Sequence, residues 1–347
     1  MASTEEKHIV IIGGGPAGCV AAGVLAKEGY RISLVEKEDK TGGKVRNWYQ
    51  LFPDRRKGKE VISFLDEEIT HPLIELLTET EIFDIKESRG KYIVETSNGN
   101  LPSADAVLMA TGFDLFDPHR KEEYGYGIYN NVISSLDLEN MFHSGRILTT
   151  EGKIPARLGI VHCVGSRDEK VGNFHCSKVC CVTAVKQAIE IKEKLPGTEV
   201  FCFYMDMRMF GPYYEELYRE AQEKWAVNFI RGKVSEASET FEGRIIVKVE
   251  DTLAGRPLKM EVDILVLMVG MENSSSGVRI AKNTGLDLGV NGFFQVADKH
   301  YGSNRSKNNG VFLAGTCTAA MNIADTISHA RSAACEISDY LRNNKNY

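Results

Sequence analysis

Apolar residues along this 347-residue chain recur with two different periods, and these periods predict the order of its elements. Residues 8–12 form an apolar run typical of a buried strand, and residues 13–18 are rich in glycine. An alanine-rich helix is predicted from there to about residue 28, and a second strand over residues 31–36. The chain therefore opens with a β-α-β unit.

The same patterns predict further elements along the rest of the chain. Helical periodicity returns near residues 60–77, and strands are predicted over 91–95 and 104–110 around an Asn98-Gly99 turn. A second α/β unit begins at about residue 158, and the last strand and helix repeat the opening pattern. The strands predicted in this part cover residues 158–164, 199–209, 245–249, 262–269 and 310–314, and the helices cover 178–194, 212–224 and a stretch ending at about 340.

The glycine-rich loop has the spacing G-x-G-x-x-G at Gly13, Gly15 and Gly18. The first glycine permits a tight turn, the second lets a pyrophosphate approach the backbone, and the third lets the helix pack closely on the strand. Glu36 ends the next strand, where a carboxylate can accept hydrogen bonds from ribose hydroxyl groups. Strand, loop, helix, strand and acid in this order predict a dinucleotide-binding site.

The return of the opening pattern near the end of the chain predicts how the domains are arranged. The length suggests about two domains. We assign residues 1–115 and 275–347 to one nucleotide-binding domain, and residues 116–274 to an α/β domain inserted into it.

Composition and charge narrow the classes of function. The formal net charge is −6 and the pI about 5.8, so there is no electrostatic basis for binding nucleic acid or an anionic membrane. Residues 1–7 carry no net positive charge and three glycines interrupt the apolar run 9–26, which argues against a signal peptide. The apolar stretch 264–269 is too short to span a bilayer. We therefore expect a cytoplasmic protein without a membrane span.

Four of the eight cysteines form the pattern C-x12-C-x3-C-C: Cys163, Cys176, Cys180 and Cys181. Four thiolates suit an iron–sulfur cluster, which we favour, or a zinc ion, whose ligands commonly come in C-x2-4-C pairs. A dithiol centre and a group of inert core thiols are two further interpretations. Adjacent cysteines point about 100° apart on a helix, so binding one cluster requires the adjacent pair to lie at a helix start or on irregular backbone.

The remaining cysteines and two histidines have weaker predictions. Cys19, Cys202 and Cys335 are predicted to be core residues, whereas Cys317 either packs near the cofactor or takes part in its chemistry. Each of two histidines, His162 and His175, directly precedes a predicted ligand, and we expect them to support the ligands rather than replace them.

Three further segments indicate which dinucleotide is bound. Thr41-Gly42-Gly43-Lys44 follows Glu36, Ala110-Thr111-Gly112 closes a strand, and residues 310–315 read GVFLAG. Together they resemble the two-dinucleotide-binding flavoproteins, which include thioredoxin and glutathione reductases. The resemblance implies FAD and a thioredoxin reductase-like α/β fold, in which an inserted α/β domain interrupts a Rossmann-like FAD-binding domain. The cofactor-binding residues that it implies are Gly13, Gly15, Pro16, Ala17, Gly18, Glu36, Lys37, Gly43, Lys44, Thr111, Gly112, Gly315, Thr316 and Ile323.

The cysteine segment has a narrower resemblance. Cys163-Val-Gly-Ser-Arg-Asp-Glu, Cys176-Ser-Lys-Val-Cys180-Cys181 and Lys186-Gln187-Ala188 are similar to the A-type subunit of heterodisulfide reductase, and the similarity extends over nearly the whole chain. The resemblance implies that the four cysteines hold a [4Fe–4S] cluster, and that Lys186 lies beside the flavin ring as a catalytic group. It also implies B- and C-type partner subunits and a homodimer.

The chain also departs from both resemblances. This sequence lacks the C-x2-C-x2-C-x3-C segments of the methanogenic protein, and in this respect it resembles the short form found in sulfur oxidisers. That form implies electron relay between flavin and partner iron–sulfur subunits, in sulfur oxidation. The competing interpretation is a stand-alone NAD(P)H-dependent disulfide oxidoreductase with a zinc site in the inserted domain. However, the insertion contains neither a second G-x-G-x-x-G nor a C-x-x-C motif.

Overall fold

The chain folds into two compact units in this computed structural model, which describes residues 7–343. The first unit comprises residues 1–46, 59–114 and 272–347, and the second comprises residues 47–58 and 115–271. The predicted division assigned residues 47–58 to the first domain, whereas they pack with the second unit.

A five-stranded parallel sheet forms the centre of the first unit. All residues of His8–Ile12 are buried, because this strand is flanked by two others and helices cover parallel sheets on both faces. Ile9 pairs with Ile32 on one side and with Ala106 on the other. In spatial order the strands are Val311–Leu313, Ala106–Met109, His8–Ile12, Arg31–Val35 and Ile74–Leu77.

Helices and a small antiparallel sheet complete the first unit. Helix Pro16–Lys27 is rich in Ala and Gly, which lets it pack closely on helix Ile323–Asn343. The other helices are Gly58–Glu68 and Ser275–Thr284, and the small sheet consists of Ile82–Ser88, Lys91–Thr96 and Gly99–Asn100.

The second unit has its own five-stranded parallel sheet. In spatial order its strands are Val132–Ser134, Ile264–Val269, Arg157–Val164, Glu199–Tyr204 and Asn228–Arg231. Helices Ser135–Ser144, Cys180–Lys194 and Tyr214–Glu223 belong to this unit, as does an antiparallel sheet of Val234–Glu239, Ile245–Asp251 and Arg256–Val262.

Short elements complete the secondary structure. The remaining strands are Gln50–Leu51, Arg56–Lys57, Phe113–Leu115 and Met271–Asn273, and the 3-10 helices are Gly43–Asn47, Pro118–Arg120, Glu122–Tyr124, Glu169–Val171 and Gly315–Cys317. Within residues 7–343, no helix combines the length and apolarity needed to cross a bilayer.

Three element predictions were wrong in extent. The helix predicted over 60–77 ends at Glu68, and Ile74–Leu77 is instead the edge strand of the first sheet, because Pro72 interrupts the helical run. The strand predicted over 199–209 ends at Tyr204, where its pairing with the neighbouring strand stops. The stretch 262–269 is divided by Asp263, which accepts N–H groups from Ala156 and Arg157, so the chain changes sheets there.

Candidate functional site

The glycine loop connects the first strand to the first helix. Gly13 has φ +110°, and a side chain there would overlap the carbonyl group of Ala110. A side chain at Gly18 would overlap the carbonyl oxygen of Gly13, whereas nothing lies within 4 Å of the position that a Cβ atom of Gly15 would take. The outer two glycines therefore make the turn compact, and the middle one leaves the backbone open to a ligand.

The first helix begins at this open position. Gly15 is its N-cap, followed by Pro16 and Ala17, and none of these residues has a side chain that can cap the helix. The N–H groups of the first turn and the helix dipole therefore favour an anion at the loop, such as a pyrophosphate.

Glu36 supports the loop from the adjacent strand. Its Oε2 accepts the N–H of Gly14 at 2.7 Å and its Oε1 accepts the N–H of Glu38 at 2.9 Å. The side chain is buried, but each carboxylate oxygen has a second lone pair. Glu36 thus has a structural role that its sequence position did not indicate, and it retains the capacity for the predicted ribose contact.

Two distant segments meet near the glycine loop. A Cβ atom on Gly315, where φ is +74°, would lie 2.8 Å from Cβ of Ala17. A Cβ atom on Gly112 would lie 3.9 Å from Oγ1 of Thr316. The buried Oγ1 of Thr111 has no hydrogen-bond partner within residues 7–343. The fold therefore brings these predicted cofactor residues together, and it leaves a polar atom that a bound cofactor can satisfy.

Gly43 and Lys44 lie on the same side. The Cβ position of Gly43 is 3.2 Å from Cα of Gly15. Lys44 Nζ lies 3.5 Å from Oδ1 of Asp114, whose Oδ2 accepts the N–H of Ser275 at 2.8 Å. Burial alone would raise the pKa of Asp114, but the hydrogen bond from Ser275 and the charge of Lys44 outweigh burial and lower it.

Two further predicted cofactor residues are Lys37 and Ile323. Lys37 is exposed, with Nζ 3.8 Å from Oε1 of Glu38. Ile323 is the first residue of helix Ile323–Asn343. That helix carries a residue that the sequence patterns missed, His329, whose Nδ1 accepts the N–H of Gly315 at 3.0 Å. Burial lowers the pKa of His329, which favours the neutral ring that can accept this bond.

The second candidate site contains the four cysteines. Cys163 lies near the end of strand Arg157–Val164, and Cys176 lies in the loop that follows. Helix Cys180–Lys194 begins with the adjacent pair, so these two cysteines do lie at a helix start. Three of the thiols are buried and one, Cys176, is half-buried. Within the part of the chain that the structure describes, no three His, Cys, Asp or Glu side chains are placed as ligands of a metal ion.

The four thiols nevertheless lie within electrostatic range of one another. The pKa of the Cys163 thiol is raised to about 12, chiefly by burial and also by negative charge on Cys181 and Cys176. Burial also raises the pKa of Cys180, as does charge on each of the other three thiols. A cation bound by the sulfur atoms would instead lower the pKa of these thiols, because a coordinated thiol is deprotonated.

A network of backbone hydrogen bonds shapes the loop between Cys163 and Cys176. The N–H of Arg167 donates to the carbonyl of His175 at 3.0 Å, and the N–H of Asp168 to that of Asn173 at 2.8 Å. The N–H of Lys178 donates to Cys176 Sγ at 3.3 Å. Three non-glycine residues of this region have left-handed φ angles, Cys163, Arg167 and Lys178. Such backbone strain often occurs at functional sites.

A buried ion pair holds this loop to the rest of the second unit. Lys121 is 2% exposed, and its Nζ lies 2.6 Å from Oδ2 of Asp168 and 2.6 Å from Oε1 of Glu123. Burial opposes the charged state of Asp168, but the hydrogen bond from Lys121 lowers the pKa of this carboxyl overall. No local sequence pattern indicates this contact, because it joins residues far apart in the chain.

Lys186 is buried in the second unit and is surrounded by carboxylates. Its Nζ lies 2.6 Å from Oε1 of Glu139 and 3.1 Å from Oε2 of Glu190, and it donates to the carbonyl of Gln50 at 3.0 Å. Burial raises the pKa of Glu190 to about 8, although the charge of Lys186 opposes this. Glu139 is the nearest acidic partner of Lys186 inside the protein, and the role of Lys186 beside a flavin remains a prediction.

The structure also tests the weaker predictions. Cys19 and Cys202 are buried as expected, but Cys335 is exposed, so its prediction as a core residue was wrong. Cys335 lies on a solvent-facing position of the last helix, where the apolar pattern is weak. Cys317 is buried and donates to the carbonyl groups of Met109 and Ala314 at 3.3 and 3.2 Å, which indicates packing.

Comparison with known proteins identifies the fold and its family. The family model described as pyridine nucleotide-disulphide oxidoreductase matches residues 7–334. The chain belongs to this family. It is therefore an oxidoreductase of a flavoprotein class, as the sequence predicted. Two thioredoxin reductase structures, from T. acidophilum and Lactococcus lactis, have TM-scores of 0.67 and 0.68 at 20% and 17% identity. Each of these two matches covers 97% of this chain. The first covers 99% of the T. acidophilum chain, and the second covers 100% of the L. lactis chain.

Curated relatives confirm the narrower resemblance. The chain is 32% identical to the A-type iron-sulfur subunit of CoB--CoM heterodisulfide reductase from Methanocaldococcus jannaschii over 96% of its length. It is equally similar to the A-type subunit of H(2)/formate:CoB-CoM heterodisulfide,ferredoxin reductase from Methanococcus maripaludis. The chain spans 64% of the length of each of these relatives.

Proposed function

We propose that this chain is an FAD- and [4Fe–4S]-containing electron-transfer subunit of a heterodisulfide reductase-like complex. The observation that carries the proposal is the group of four thiols in the second unit, one near the end of a central strand, one in the loop after it and two at the start of the next helix. The position is the place after a parallel strand where a Rossmann-type unit would otherwise bind a nucleotide. Chemically, this donor set suits a sulfur-ligated metal centre far better than a pyrophosphate.

The residues of the first unit fit the flavin cofactor. The open backbone at Gly15 and the uncapped helix start would receive the pyrophosphate, and Glu36 would receive a ribose. The unpartnered Oγ1 of Thr111 provides a further polar contact. When bound, the flavin would supply exchange of electrons singly or in pairs. The contribution of the chain is to bind and orient it.

The residues of the second unit fit a negatively charged metal–sulfur centre. Cys163, Cys176, Cys180 and Cys181 would be its ligands, and the start of helix Cys180–Lys194 favours their thiolate forms through its dipole. Nη1 of Arg167, which the charges of Cys163 and Cys176 affect, is buried without a hydrogen-bond partner in the described structure. A cationic donor that is left without a partner near two of the four thiols suits such a centre.

Metal and flavin analysis of anaerobically purified protein tests this proposal. We expect one flavin, with about four iron and about four acid-labile sulfide per chain. Cys176→Ser should lose most of the iron and retain the flavin. Cys202→Ser, which changes another cysteine of the same unit, should retain both. Wild-type protein that contains flavin but no iron or sulfide would contradict the proposal.

The same preparation tests the competing function. Zinc in place of iron, together with rapid bleaching of the flavin by NADPH or NADH alone, would indicate a stand-alone disulfide oxidoreductase. We expect neither, because the insertion has no second dinucleotide fingerprint.

The proposed partners are B- and C-type iron–sulfur subunits in a sulfur-oxidising, cytoplasmic pathway, with this chain as a homodimer. These features come from the resemblance of the cysteine segment to the A-type heterodisulfide reductase protein and to its short form. Sedimentation of the chain alone tests the dimer. Electron transfer from the reduced chain to co-expressed partner subunits tests the complex. A monomer, or a chain that never reduces them, would contradict the corresponding feature.

A further inference from the structure

Arg167 is a charged residue of the cysteine loop whose backbone is both strained and hydrogen-bonded. It follows Cys163 by four positions, has φ +53°, and donates its backbone N–H to the carbonyl of His175. Its side chain is 23% exposed, which is low for an arginine in a loop. Backbone bonding and backbone strain therefore fix the position from which this side chain extends.

One end of the Arg167 guanidinium is held by a carboxylate. Nη2 lies 2.7 Å from Oδ2 of Asp206, which is 45% exposed. A second cation, Arg231, lies 3.7 Å from the other oxygen of the same carboxylate. Asp206 thus contacts two arginines, and one of its oxygens orients the Arg167 side chain.

The other end of the guanidinium has a different environment. Nη1 is buried and has no hydrogen-bond partner within residues 7–343. An unpaired buried donor costs about 1–3 kcal/mol, and more when the group is charged. The thiols of Cys163 and Cys176 lie close enough that their charges act on this guanidinium. The backbone geometry agrees with this, because the N–H of Arg167 donates to the carbonyl of His175, the residue directly before Cys176.

We propose that Arg167 compensates the negative charge of the four-cysteine site, with Nη2 anchored on Asp206 and Nη1 left as a donor to the metal–sulfur centre. The inference rests on the proposed function, because it assigns a role toward the cluster proposed there. Four thiolate ligands give such a centre a net negative charge, and reduction adds one electron and therefore one more negative charge. A fixed cation stabilises the reduced form more than the oxidised form and raises the reduction potential.

The test is a redox titration of the iron–sulfur signal in Arg167→Gln, Arg167→Lys and Arg231→Gln. Arg231→Gln is the matched control, because it removes the same charge from the same carboxylate. At a fixed potential, Arg167→Gln should lower the ratio of reduced to oxidised cluster about tenfold, which is about 59 mV for one electron. Arg167→Lys should lie between Arg167→Gln and the wild type, and Arg231→Gln should match the wild type.

Each outcome decides the inference. An unchanged ratio in a cluster-containing Arg167→Gln protein would overturn it, as would an equal shift in Arg231→Gln. If Arg167→Gln folds and binds flavin but contains no cluster, restoration of the cluster by Arg167→Lys supports the role of the charge, and failure of restoration overturns it. Absence of iron from the wild-type protein would instead overturn the proposed function, and the inference with it.

Discussion

The glycine loop of the first unit and the cysteine loop of the second unit occupy the same topological position, after a central strand of a parallel sheet. The first is lined by backbone and small residues, and its one buried acid accepts two N–H groups. The second is held by a buried ion pair and has three left-handed non-glycine residues. Close packing therefore determines the first loop, whereas charge and strain determine the second. Changes in volume should damage the first, and changes in charge the second.

The largest effect is expected from a change of charge at Lys186 in the second unit. Lys186→Met leaves Glu139 and Glu190 buried without their cation, which should lower the free energy of unfolding by about 3–5 kcal/mol. Lys224→Met is the matched control, because Lys224 also pairs with a glutamate one helical turn away, but at the surface. It should cost less than about 1 kcal/mol. Equal losses in urea unfolding would contradict the role of burial.

A change of volume should be nearly as damaging in the first unit. Gly18→Ala places a methyl group against the carbonyl oxygen of Gly13, and we expect a loss of about 3 kcal/mol together with the flavin. Gly15→Ala adds the same group where nothing lies within 4 Å. It should leave thermal unfolding of the flavin-free protein unchanged and weaken flavin binding. Identical melting temperatures for the two variants would show that the loop is not closely packed.

A smaller effect should follow removal of the charge that anchors the cysteine loop. Asp168→Asn replaces the ionic partner of Lys121 and leaves it with Glu123, which should cost about 2 kcal/mol. The expected consequence is a lower iron content at unchanged flavin content. Asp287→Asn, at an exposed ion pair with Lys307, serves as control. Loss of flavin rather than iron from Asp168→Asn would argue against this anchor.

The smallest change, at most about 1.4 kcal/mol, is expected when the pH is changed by a single unit. The pKa of Glu190 is raised from 4.5 to about 8 in the folded protein. Its contribution to the free energy of unfolding is therefore complete below pH 4.5 and falls as the pH rises to about 8. The free energy of unfolding should change by at most about 1.4 kcal/mol per pH unit in this range. In Glu190→Gln, unfolding measured between pH 5 and 8 should depend less on pH. A slope equal to that of the wild type would place the titrating group elsewhere.

Much of the first site could be predicted from local sequence. Gly13, Gly15 and Gly18 have separate steric roles that depend only on a strand, a turn and a helix in succession. The helix predicted over 178–194 begins at Cys180, close to its predicted start. By contrast, His329 could not be assigned, because nothing in its local pattern indicates that it accepts the N–H of a residue fourteen positions earlier.

Local sequence was sufficient to predict the β-α-β opening, the glycine loop, the group of four cysteines and the family, because each depends on residues close together in the chain. The distant charges that surround the sites could be found only in the folded chain. Lys121 meets Asp168, Lys186 meets Glu139 and Arg167 meets Asp206 because sheet order brings separate segments together. Hydrophobic periodicity specifies which face of an element is buried. It does not specify which polar residues meet there, and these pairings control the electrostatics of the cysteine site.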